Sequence, residues 1–132
     1  MSKILKVKAR QVFDSRGNPT IEVEVFTKDN SAKAICPSGA STGTYEAFEK
    51  RDKQNKKYLG KSVLNAVKIV NTILSKKLRG LNVHNQEKID ALMINLDGTK
   101  QKNKLGANSI LAVSMAVKKV SSIEKKIPLF KN

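Results

Sequence analysis

Apolar residues alternate with polar ones in three short stretches near the start of the chain, which is the pattern of strands with one buried face. The alternating apolar positions are Leu5, Val7 and Ala9, then Ile21, Val23 and Val25, then Ala32, Ala34 and Cys36. Residues 14–19 and 28–30 separate the stretches with turn-forming Asp, Asn, Gly and Pro. Because these connections are short, the sequence predicts a three-stranded antiparallel meander.

The second half of the chain repeats its apolar residues every three or four positions, which is typical of amphipathic helices. A first helix is predicted from Val63 to a stop at Gly80, and a second from an N-cap at Asn85 to a stop at Gly98. Their buried stripes are predicted to be Val63, Ala66, Val67, Val70, Ile73, Leu74 and Leu78, then Ile89, Leu92, Met93 and Leu96.

The most apolar segment, residues 105–123, carries apolar side chains on nearly every side. This predicts a central helix that neighbours surround. Strands come first and helices afterwards, so the fold class is predicted to be α+β, with a three-stranded antiparallel meander followed by a helical bundle packed on one sheet face.

The charge of the chain is strongly positive, at +15 from 26 basic and 11 acidic residues. Nucleic-acid recognition relies on arginine and on aromatic stacking, yet only 5% of the residues are aromatic and the only arginines are Arg10, Arg16, Arg51 and Arg79. We therefore expect no specific nucleic-acid partner. With no signal peptide and no membrane-length apolar run, we expect a cytoplasmic protein without a membrane partner.

Two residues that often carry chemistry are expected to be structural here. Cys36 is the only cysteine, so no internal disulfide can form, and its place in the strand pattern predicts a small core residue rather than a nucleophile. His84 has no second histidine and no clustered acids near it in sequence. We expect it to be a surface or capping residue rather than a metal ligand.

The loop after the third strand is the strongest candidate for binding chemistry. Its small residues are Ser38, Gly39, Ala40, Ser41, Thr42 and Gly43. They would let backbone groups approach an anion or a metal, glycines can absorb a change of loop conformation, and hydroxyl oxygens suit Mg²⁺. The spacing is too short for a P-loop and no lysine follows Gly43. An ordinary connection between a strand and a helix remains the alternative.

Six motifs, in this order, make the sequence resemble the N-terminal domain of enolases. They are DSRGNPT at 14–20, PSGASTG at 37–43, EAFEKRD at 46–52, LGK at 59–61, LDGT at 96–99, and LGAN at 105–108 followed by Ile110-Leu111 and Val113-Ser114. The resemblance covers essentially the whole chain. Lys53 stands where the family commonly has glycine after the RD pair.

The resemblance implies a role for the loop. Enolases convert 2-phosphoglycerate to phosphoenolpyruvate and water with Mg²⁺ as cofactor; residues 38–43 would form the lid over the substrate, and Ser41 would bind the second Mg²⁺. The base, the acid and the other metal ligands of an enolase lie on a C-terminal barrel, and such barrels take about 250 residues. Residues 1–132 would therefore be the capping domain, inactive alone, with the barrel in the same or a separate chain.

The resemblance also implies assembly. Complete enolases are homodimers, and Arg10 and Glu22 match strand positions that form dimer contacts. Without the barrel we expect these two charges to lack partners. The alternative to an enzyme part is a non-catalytic interaction module that kept the fold of an enolase domain and lost its chemistry.

Overall fold

The computed structural model describes residues 2–36, 63–98 and 106–131. Its sheet contains three antiparallel strands in the order β1 (Lys6–Phe13), β2 (Pro19–Phe26) and β3 (Ser31–Ile35). The register places Val23 of β2 opposite Ala9 of β1 and Ala34 of β3. One face of the sheet is therefore a continuous apolar surface, and the predicted meander is confirmed.

The start of the chain differs from the prediction. Leu5 was predicted to be buried, but it is 51% exposed, whereas Ile4 is fully buried. The alternation fails here because residues 2–4 do not belong to the first strand and pair instead with residues 80–83. Ile4 N donates to Leu81 O at 2.8 Å, and Val83 N donates to Ser2 O at 2.9 Å.

The helices follow the sheet in sequence and cover one of its faces. Their bounds are Leu64–Ile69 for α1, Val70–Leu74 for a π-helical segment, Ser75–Leu78 for α2, Gln86–Asp97 for α3, Ala107–Lys125 for α4, and Leu129–Lys131 for a final 3-10 turn. The first three form one continuous helical run, residues 64–78, which packs on β1. The long α4 packs on β2 and β3, and α3 packs on α4. The α+β prediction is confirmed.

The buried stripes are largely as predicted, with one error in the first helical run. Val70, Leu74 and Leu78 are fully buried, but Ile73 is 43% exposed. The reason is the π winding over Val70–Leu74. A helix with i→i+5 bonding has more residues per turn than an α-helix, so Leu74 stays in line with Val70 while Ile73 rotates toward solvent.

Asn71, inside the π segment, bonds to the edge of the sheet. Its Oδ1 accepts from Ala9 N at 2.7 Å, and its Nδ2 donates to Ala9 O at 3.1 Å. Both backbone groups of Ala9 that point away from β2 are thereby satisfied. A single side chain thus closes the β1 edge where a further strand would otherwise bind.

The long helix α4 is central but not surrounded. It begins at Ala107 and ends at Lys125, rather than spanning 105–123. Its fully buried residues include Ala112, Val113, Ala116, Val117 and Val120. Leu111 and Ile123 are 45% and 47% exposed, which contradicts the prediction of contact on nearly every side. Among the described elements, the sheet, α1 and α3 cover only part of its circumference.

Candidate functional site

The predicted lid, residues 38–43, lies outside the described residues, and the structure shows what holds the chain on either side of it. Thr20 Oγ1 donates to Cys36 O at 2.6 Å, and Cys36 N donates to Ile21 O at 3.0 Å. After the gap, Val63 N donates to the side-chain Oε1 of Gln11 at 3.0 Å. We call these five residues, Gln11, Thr20, Ile21, Cys36 and Val63, the loop frame.

The loop frame lies at one end of the sheet, where β1 ends and β2 begins. Thr20 is 3% exposed and Cys36 is 2% exposed, so the Thr20–Cys36 bond is shielded from water. A hydrogen bond in such a place is costly to break, because the group left behind is not rehydrated. The frame therefore fixes the chain at Cys36 and at Val63, on either side of residues 37–62.

The burial of Cys36 also confirms its predicted place in the core.

The connection between β1 and β2 closes the same end of the sheet. Asp14 Oδ1 accepts from the backbone N of Arg16 and of Asn18, both at 2.9 Å, and Gly17 N donates to Asp14 O at 2.9 Å. Gly17 has a φ of 79°, a conformation that glycine adopts without steric cost. The first motif of the family resemblance is thus a turn held by the Asp14 carboxylate.

His84 and Asn85 stand at the beginning of α3. His84 is exposed, as predicted, and its Nδ1 lies 2.8 Å from Ser121 Oγ of α4. Asn85 occupies the N-cap position, as predicted, although its side chain makes no capping hydrogen bond. The next side chain fixes the helix start instead, because Gln86 Nε2 donates to Ser114 Oγ at 2.9 Å.

The outer face of the sheet carries Arg10 and Glu22, which the resemblance placed at dimer contacts. The register sets Arg10 opposite Glu22; one guanidinium nitrogen binds Glu22, and the other binds Glu24 Oε1 at 3.0 Å. The hydrogen bond to Glu22, and then that to Glu24, raises the pKa of Arg10 above the already high value usual for arginine. The expectation that these charges lack partners without a barrel is wrong, because adjacent strands bring them together.

The comparison with known proteins is decisive for the family. A family model described as Enolase, N-terminal domain, matches residues 4–132. The chain belongs to the enolase family. This match confirms the resemblance found in the motifs. The matched region begins at Ile4, the fully buried residue that precedes β1.

Individual enolases match almost the whole chain. The enolase of Pelagibacter ubique is 72% identical over 131 residues, which are 99% of this chain and 31% of that relative. The enolases of Methanosarcina acetivorans and Methanosarcina mazei are 58% and 57% identical over 129 residues, which are 98% of this chain and 30% of each relative. The chain thus spans about a third of the length of the curated enolases it matches.

The described part of this enolase domain does not itself fit a Mg²⁺ centre. In residues 2–36, 63–98 and 106–131, no three His, Cys, Asp or Glu side chains gather where they could hold a metal ion. The predicted ligand Ser41 lies outside those ranges.

None of the described helices is long and apolar enough to cross a membrane.

Proposed function

We propose that the chain is the N-terminal domain of an enolase that uses Mg²⁺ to convert 2-phosphoglycerate to phosphoenolpyruvate and water in the cytoplasm. The observation that carries the proposal is the 72% identity to an enolase across 99% of the chain. Because the chain spans only 31% of that relative, the proton-abstracting base, the acid and the remaining metal ligands belong to a barrel domain beyond this sequence.

In this proposal residues 38–43 form the lid over the substrate, and the Ser41 hydroxyl is one ligand of Mg²⁺. When bound, the metal supplies stabilisation of the negative charge that develops on the substrate. The support from the structure is the loop frame. A lid needs fixed ends if its moving part is to return to one position, and Cys36 and Val63 are each hydrogen-bonded to the sheet.

The proposal extends to assembly as a homodimer through the outer sheet face. The side chain of Arg10 is 34% exposed and that of Glu22 is 16% exposed, so the guanidinium remains accessible to a partner. Glu22 and Glu24 already orient the guanidinium, which lowers the entropic cost of a further contact.

A domain exchange tests the function. This 132-residue chain would replace the matching domain of the Pelagibacter ubique enolase, and turnover of 2-phosphoglycerate would be followed by absorbance. We expect an active hybrid, because a domain that is 72% identical over 131 residues should fold as the domain it replaces does. A hybrid that folds and assembles but has no activity would contradict the proposal and favour the non-catalytic interaction module.

Two matched variants of the hybrid then test the lid. Ser41→Ala should reduce Mg²⁺-dependent turnover by at least the roughly 10 to 100-fold that even outer partners of metal ligands contribute. Thr42→Ala, the neighbouring small polar residue, should cost much less. Thermal unfolding of both variants controls for folding. Equal activities for the two would remove Ser41 from the metal site.

A further inference from the structure

The two edges of the sheet differ in how their outward backbone groups are bonded. Asn71 closes the β1 edge by bonding both backbone groups of Ala9. At the other edge, Cys36 N donates to Ile21 O, so the even-numbered residues of this segment point their backbone groups at β2. The outward groups belong to Ser31, Lys33 and Ile35. Within the described ranges, no other backbone segment pairs with this edge.

An apolar groove of about 390 Å³ runs beside the open edge. It is lined by Ala32 and Lys33 of β3, by Lys119, Ser122 and Ile123 of α4, and by Ile127 and Leu129. Ile123 and Leu129 are 47% and 42% exposed, and Ile35 on the strand itself is 45% exposed. Outward-facing strand backbone and accessible apolar side chains therefore lie next to each other, which is the arrangement that binds an added strand.

The charge around the groove is positive. Lys33 and Lys119 both line it, and Lys119 Nζ donates to Lys33 O at 3.1 Å. The acid on this part of α4, Glu124, accepts a hydrogen bond from Thr27 Oγ1 at 2.5 Å. The lysines thus protect the edge against indiscriminate pairing, and they select for a segment that carries negative charge.

We propose that this edge groove binds an extended acidic peptide, which adds to β3 as a fourth strand. Alternate side chains of an added strand point to opposite faces. On the α4 side, apolar side chains of the peptide enter the groove; on the outer side, carboxylates lie next to Lys33. The Lys119 ammonium leaves the Lys33 carbonyl, which then accepts from a peptide N–H, and its positive charge stays beside the bound acidic peptide.

A second copy of this chain fits the edge less well. Two β3 strands that pair antiparallel in the register of fullest overlap bring Lys33 opposite Lys33 of the other copy, since Lys33 is the middle residue of Ser31–Ile35. Like charges directly opposite destabilise a strand pair. An acidic partner reverses the sign of that interaction.

The probe is a fluorescein-labelled heptapeptide of alternating glutamate and valine, and its binding to the 132-residue chain is followed by anisotropy. Two control peptides separate backbone pairing from charge. One carries N-methyl groups on the amides that would face β3, and the other is heptaglutamate. We expect the alternating peptide to bind at least about tenfold more tightly than either, because only it supplies strand hydrogen bonds together with apolar side chains.

Variants of the chain locate the site. Ile35→Pro removes an outward N–H of β3 and leaves the pairing with β2 intact, since proline is tolerated on edge strands; it should weaken binding about tenfold. Lys119→Gln should weaken binding and reduce its salt dependence. Lys76→Gln, an exposed lysine on α2 away from the groove, is the matched control and should bind as the unaltered chain does.

Several outcomes would overturn the proposal. Equal binding of the N-methylated peptide, or of heptaglutamate, would mean that charge alone attracts the probe. Unchanged binding to a correctly folded Ile35→Pro chain would place the peptide elsewhere. Light scattering that shows a dimer abolished by Ile35→Pro would make the occupant a second copy. If Ile35→Pro does not fold by circular dichroism, the N-methylated peptide decides the question.

Discussion

Replacement of Asn71 by alanine should destabilise the chain, because one side chain closes the edge of β1. The variant removes two hydrogen bonds, those with Ala9 N at 2.7 Å and with Ala9 O at 3.1 Å. Each intramolecular hydrogen bond contributes about 0.5–1.5 kcal/mol net, so the pair contributes about 1–3 kcal/mol. Asn71 itself faces solvent, and water can partly replace it. We therefore expect the lower part of that range, about 1–2 kcal/mol.

Thr72→Ala is the matched control, since it lies next to Asn71 in the same π segment and is also exposed. Thr72 Oγ1 donates only to Lys68 O one turn earlier, at 2.7 Å. Asparagine and threonine have similar helix propensities, so both substitutions gain about the same from alanine. The difference between the two variants isolates the contact with Ala9.

Urea unfolding gives the free-energy difference between the two variants, and amide hydrogen exchange shows where it arises. We expect Asn71→Ala to lower the thermal midpoint by roughly 4–10 °C more than Thr72→Ala in a domain of this size. The Ala9 amide should also exchange faster in the first variant alone, because its acceptor is gone. Unfolding free energies that agree within about 0.5 kcal/mol, the usual range for surface substitutions, would refute this account of the β1 edge.

Three further predictions follow from burial, ion pairing and the length of the chain. Leu74→Ala should cost about 2–5 kcal/mol of unfolding free energy and Ile73→Ala under about 1 kcal/mol, because Leu74 is fully buried and Ile73 is exposed. Urea titration measures both costs, and equal values would contradict the π winding. The hydrogen bonds to Glu22 and then Glu24 raise the pKa of Arg10 above the usual arginine value, so the stability that the ion pair contributes is fully present below that usual value and is lost only as the pH rises through the raised pKa. The cost of Arg10→Gln, about 0.5–1 kcal/mol for a partly exposed pair, should therefore not change between pH 7 and 10. The 132-residue chain alone should not dehydrate 2-phosphoglycerate in a coupled absorbance assay, and turnover above the uncatalysed rate that Ser41→Ala abolishes would contradict this.

The sequence predicts the strands and helices well, because their apolar periods are regular and the turns between them carry Gly, Asn and Pro. Leu5 shows where this fails. Alternation places it with Val7 and Ala9, but residues 2–4 pair with a segment about 80 residues later, and no local pattern reports such a partner. Ile73 fails for a related reason, since the α-helical period does not anticipate a π segment.

The site was less predictable than the fold. The motifs identify the loop at 37–43 and the family, but the frame that holds the loop depends on contacts between Gln11 and Val63 and between Thr20 and Cys36. Thr20 belongs to a recognised motif and could have been suspected. Gln11 lies in a strand with no distinguishing pattern around it, so only its tertiary contact identifies it. To predict the ion pair of Arg10 and Glu22 from sequence, the register of β1 and β2 must be known. The length of the turn between the two strands could have supplied that register.

The pairing of residues 2–4 with residues 80–83 sets the order of events during protein synthesis. Ile4 is fully buried, and its backbone bonds to Gly80 and Leu81. At the roughly 5–20 residues per second of translation, those partners are made on the order of 4 to 15 s after Ile4. Until then the nascent chain leaves the apolar side of β1 uncovered by the first helical run. The ribosome, rather than the folding rate of the sheet, therefore limits when this half of the domain can close.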